Sequence, residues 1–118
     1  MFHKQAVCIA TAAGAGMKST TKDMADSMFF WGVGKIYRYG VAVMSTTYQG
    51  IKPKIKNKIE KKTTILARRI KKRHKHVKPG MKTKLWFYMA RFLHRMSWDD
   101  SDLNYWKEKG WDKKKRPW

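Results

Sequence analysis

The chain has 118 residues, with 28 Lys and Arg against 8 Asp and Glu, for a formal charge of +20. That length allows one ordinary domain with a modest core, and that charge calls for either wide spreading over surface or an anionic partner: nucleic acid, an anionic membrane surface or a phosphate-bearing ligand. A single cysteine excludes an internal disulfide and points to a reducing, cytoplasmic setting, and neither a bilayer-crossing run of roughly 20 apolar residues nor a secretory signal core is present.

Residues 6–10, AVCIA, form a continuous apolar run, which predicts a strand covered on both faces in a parallel sheet. Cys8 lies inside that run and reads as a small hydrophobe rather than a nucleophile. Small residues follow, and then a helix start: AVCIATAAGAGMKSTTKDM. Strand, small-residue turn and helix is the layout in which backbone N–H groups cradle an anion. The nucleotide-triphosphate loop is excluded by spacing, because Met17 separates Gly16 from Lys18. The dinucleotide fingerprint is also incomplete, since Ser19 stands where its third glycine belongs. On the residues alone, the stretch is a ligand loop or a tight turn that lets a helix fold back.

Thr20 is expected to cap that helix, with Asp23 near its positive end and Met24, Met28, Phe29 and Trp31 as a buried stripe, stopped by Gly32 and Gly34. KIYRYGVAVM, residues 35–44, predicts a second strand, with Gly40 at a place of close approach. The result is one βαβ unit. From residue 51 to 77 the apolar residues Ile51, Ile55, Ile59, Leu66 and Ile70 recur at helical spacing, and Pro53 suits a first turn. Such a helix is longer than a small sheet needs for cover, so its last turns are expected to project or fray.

Pro79 and Gly80 break the chain. KLWFYMARFLHRM then predicts an amphipathic helix with Leu85, Tyr88, Met89, Phe92, Leu93 and Met96 on its packed side, leaving Trp86 and Phe87 in need of a partner surface. The tail opens with Asp99, Asp100 and Asp102, forms a short helix stopped by Gly110 and ends basic and tryptophan-containing. His3, His74, His76 and His94 are too scattered to form a metal site. Two strands cannot bury a run such as residues 6–10 on both faces and both edges. The sheet is therefore expected to be completed by a further part of the fold or by another chain.

Taken in order, AVCIATAAGAGMKSTTKDMADSMFFWGVGKIYRYGVAV, KIEKKT, YWKEKG and the terminal KKRPW resemble the C-terminal half of flavodoxin-like NAD(P)H-dependent FMN reductases. The resemblance implies a partial flavodoxin-like, Rossmann-like doubly wound parallel sheet in residues 1–78, followed by a helical, aromatic and basic extension in residues 79–118. It implies that Thr11, Ala12, Ala13, Gly14, Ala15 and Gly16 contact the isoalloxazine ring of FMN, with NAD(P)H as reductant. Lys18 would add positive charge nearby or stand solvated at the helix entrance. The phosphate loop of that family follows a strand that these residues do not contain. FMN affinity is thus expected to depend on a complementing N-terminal half or a homo-oligomer, and no residue is assigned as a catalytic acid or base.

The alternative from charge is a basic binding module. Residues 52–78 hold thirteen Lys and Arg against Glu60, and Trp98, Tyr105, Trp106, Trp111 and Trp118 are candidates for stacking on nucleic-acid bases. Residues 84–96 with their flanking bases suit an interfacial helix on anionic lipid.

Overall fold

A computed structural model describes residues 1–96 and 102–118. The elements run β1 (Gln5–Ala12), α1 (Met17–Phe30), β2 (Lys35–Ala42), α2 (Pro53–Arg73), α3 (Met81–Arg95) and α4 (Leu103–Lys109). The two strands pair in parallel, Gln5 opposite Lys35 through Ala12 opposite Ala42, with α1 as the crossover. The chain is thus a mixed α/β fold built on one βαβ unit. Trp98, Asp99 and Asp100 lie outside the described residues.

Alternation along the strands assigns the sheet faces. Cys8 and Gly40 belong to the face under α1, where Cys8 is buried and Gly40 leaves room for Met17; a Cβ on Gly40 would stand 2.9 Å from Met17 Cγ. The opposite face carries Gln5 and Tyr37, whose hydroxyl donates to Gln5 Oε1 at 3.1 Å. Gln5 Nε2 in turn donates to the Ile70 carbonyl at 3.1 Å, so the last turns of α2 are tied to the sheet instead of projecting free of it.

The expected cover of β1 on both faces is not found. Ile9, in the middle of the strand, is 52% exposed, and among the described residues neither strand has a second neighbour. A parallel strand normally sits inside a covered sheet. The whole chain reflects the same shortage of partners. Its radius of gyration is 18.6 Å, where a compact domain of this length has about 13.5 Å. Its accessible surface is 9185 Å², where a compact monomer of this mass exposes about 6,700 Å².

Helix α1 begins earlier than the sequence predicts. Thr20 does not cap it; Gly16, at φ 95°, stands at the cap position, and the Thr20 hydroxyl donates back to the Gly16 carbonyl from inside the first turn. The expected apolar stripe is also displaced. Met24 and Trp31 are exposed, and the one buried residue of the helix is Thr21, whose hydroxyl is satisfied by the Met17 carbonyl at 2.8 Å. The helix ends as expected at Gly32, φ 75°, where Gly32 N–H donates to Phe29 O and Val33 N–H to Met28 O. That turn buries Val33 and directs the chain into β2.

The tail folds back around Phe87. Its ring stacks on Trp106 at 5.0 Å between centroids and meets Trp118 at 5.1 Å, Phe2 at 5.8 Å and Trp111 at 5.9 Å edge-on. Gly110, in the left-handed region at φ 68°, closes α4 and brings Trp111 against Trp106. Arg91, one turn beyond Phe87, lies over the same ring at 4.9 Å and donates to the Lys115 carbonyl. Arg95 Nε donates to the Asp112 carbonyl at 3.1 Å.

This arrangement reverses the faces expected for α3. Thr83, Phe87 and Arg91 are buried, while Leu85, Met89, Phe92 and Met96 are exposed. The inner face carries Phe87 between Thr83 and Arg91 and is decided by the tail, whose tryptophans select Phe87. It follows that Trp106 is a core residue and cannot stack on a base, whereas Tyr105 remains half exposed.

Candidate functional site

The carboxyl ends of both strands meet the loop that the sequence singled out. Thr11 and Ala12 are the last residues of β1, paired with Val41 and Ala42, and only residues 13–16 form the loop proper. The loop is held to the end of β2 by main-chain bonds: Val43 N–H to Ala12 O at 2.9 Å and Met44 N–H to Ala13 O at 3.1 Å. Ala13, Gly14, Ala15 and Gly16 are all exposed. No atom lies within 4 Å of the place a Gly16 side chain would occupy, and the positive φ there requires glycine.

Donors dominate this end of the sheet. The first helical bond of α1 runs from Thr20 N–H to Gly16 O at 3.1 Å, which leaves the N–H groups of Met17, Lys18 and Ser19 without an intrahelical acceptor. No side chain caps them, because the Ser19 and Thr20 hydroxyls both donate to Gly16 O, and no acid stands in the first turn. Lys18 is exposed at the same entrance. Free N–H groups, the positive end of the helix dipole and a lysine form an electropositive rim that suits an anion or the carbonyl edge of a planar ring.

One neighbour of this rim has no signal in the sequence. Met44 adopts φ 53°, a left-handed conformation costly for a residue with a side chain, and its Sδ lies 3.9 Å from the position a Gly14 Cβ would take. The turn beyond it is closed by Ser45 and Thr47, whose side chains bond the local main chain, and Tyr48 lies exposed under the Lys56 ammonium at 4.7 Å. Both ring-sized side chains and soft sulfur are therefore available at the open end of the sheet.

Beneath the rim the titratable groups are quiet. Burial under α1 raises the Cys8 thiol above its ordinary value of 9.0, partly opposed by Arg38, so it stays protonated and unreactive at neutral pH. Burial likewise raises Tyr39 above 10.0, and its hydroxyl has no partner among the described residues. In both cases the fold favours the protonated form. Their contribution is intact below the unfolded values and is lost as pH rises, so the urea midpoint is expected to hold at neutral pH and to fall from about pH 9 upward. An unchanged midpoint on the alkaline side would contradict it. Among the described residues no three His, Cys, Asp or Glu side chains come together as metal ligands, and no helix is long and apolar enough to cross a membrane.

A second hollow of about 460 Å³ lies at the other end of the sheet, lined by Lys35, Tyr37, Arg69, Lys72 and Arg73. Four of its five lining residues are basic. No family model, curated protein or solved structure matches the chain.

Proposed function

We propose that the chain is the C-terminal part of a flavodoxin-like, FMN-binding, NAD(P)H-dependent reductase fold, with residues 11–16 facing the flavin ring. The observation that carries this reading is the donor-rich, side-chain-poor loop at the carboxyl ends of two parallel strands, the place where open α/β sheets bind ligands. The residues present fit a flavin ring: small side chains allow main-chain approach, and the free N–H groups suit the carbonyl edge of the ring.

Bound FMN would accept hydride from a reduced nicotinamide, chemistry that belongs to the cofactor. The protein's part is electrostatic and positional. Main-chain donors of Met17, Lys18 and Ser19 and the α1 dipole would stabilise negative charge at the N1 and O2 edge of the ring, and they would need no reorganisation because the loop is already tied to β2. Gly16 permits the turn, and Lys18 adds charge at the rim. The unpaired edge of β1 and the exposed Ile9 support completion of the sheet by a second copy or by a complementing N-terminal half, which would also supply a phosphate anchor.

An FMN titration followed by flavin fluorescence tests this, with the chain alone and with a flavodoxin-type N-terminal half added. Saturable binding in the second case, weakened by Gly16→Val, is the expected outcome. No binding in either case would overturn the reading.

A further inference from the structure

Helix α3 carries a second apolar face that its own fold does not use. Met81, Leu85, Met89, Phe92 and Met96 follow one another at intervals of three or four residues, and so form one stripe. Met81 is 87% exposed, Leu85 71%, Phe92 60% and Met96 64%. The stripe lies opposite Thr83, Phe87 and Arg91, which hold the helix to the tail. It continues into a groove of about 570 Å³ between α3 and α1, whose apolar wall includes Phe30 and Trp86 with ring centroids 5.3 Å apart. Soluble monomers seldom leave so long an apolar row open.

Charge decides what covers it. Helix α3 contains no Asp or Glu, and Lys82 and Lys84 flank the stripe on its two sides. The chain as a whole carries +20, so a second copy laid on this face would bring like charge against like charge. An acidic, fluid apolar surface meets both requirements at once: its interior takes the Met, Leu and Phe side chains, and its headgroups take the flanking bases, whose long stems let the charge stay in water. A bilayer also needs no matching shape, which suits a convex row rich in flexible methionine.

We propose that α3 is an interfacial helix that lies on an anionic lipid surface, with Leu85, Met89, Phe92 and Met96 immersed and Lys82 and Lys84 at the headgroups. The attachment is peripheral and does not depend on a flavin. Because Arg91 and Arg95 are engaged with the carbonyls of the tail, they take no part.

Co-sedimentation of the full chain with vesicles tests it, comparing phosphatidylcholine alone with phosphatidylcholine containing phosphatidylglycerol. Binding is expected only with the anionic lipid and is expected to fall as salt is raised. The double variant Leu85→Glu, Phe92→Glu should lower the partition coefficient by roughly 100-fold, while near-ultraviolet circular dichroism stays unchanged because both side chains point away from the Phe87 cluster. Equal partition into neutral vesicles, or anionic binding that the double variant leaves intact, would overturn the proposal. So would failure to bind either vesicle, including the case where the stripe instead mediates self-association on sedimentation velocity or the chain captures RNA. Since no flavin enters this assay, its result is independent of the FMN titration.

Discussion

Phe87→Ala is expected to lower stability by about 3–5 kcal/mol, the range for removing a buried aromatic ring. The ring is 4% exposed and touches Phe2, Trp106, Trp111 and Trp118 together. Removing it leaves a cavity among four rings and strips the Arg91 guanidinium of the face it lies over. That guanidinium is already buried, with Nε lacking a partner among the described residues, so part of the loss is electrostatic. Urea unfolding followed by near-ultraviolet circular dichroism would register the change, since the tryptophans dominate that signal. A loss under about 1 kcal/mol would mean that the tail is held by something other than this cluster.

Gly34→Ala should come next, at about 3 kcal/mol, the upper end for overpacking. A Cβ on Gly34 would run into the Phe2 carbonyl oxygen and stand 2.9 Å from Val77 Cγ1. The obstacle is main chain, which cannot swing aside as a side chain can. Moving Phe2 also withdraws its ring from Phe87, so the Gly34 and Phe87 substitutions share a victim. Their combined effect is therefore expected to be smaller than the sum of the two. Simple additivity in a double-mutant cycle would show that Phe2 does not link the turn after α1 to the tail.

The βαβ unit was legible because each of its parts has a local cause. Residues 6–10 are apolar without interruption, Gly32 ends α1 and Gly40 accepts Met17, and all three roles are visible in single residues. The helix start was misread for an equally local reason. Thr20 has the chemistry of a cap, but Gly16 takes the left-handed turn four residues earlier and reduces Thr20 to a first-turn residue. The inner face of α3 could not be read from periodicity, since Phe87 stands there between Thr83 and Arg91 on the less apolar side and the choice rests on contacts with Phe2 and Trp118, far away in sequence. In the candidate site, glycine and alanine marked the loop, whereas Met44 was invisible because an exposed methionine at positive φ has no compositional signature.

The clasp on the tail has a consequence for which residues the chain is free to change. Arg91 and Arg95 grip the carbonyl oxygens of Asp112, Lys113 and Lys115, atoms that every amino acid supplies. The grip is therefore indifferent to the identity of the side chains at 113–115, whose charge can drift or be lost without loosening the tail. The burden of conservation falls instead on the two arginines and on the tryptophans that set the path of the main chain.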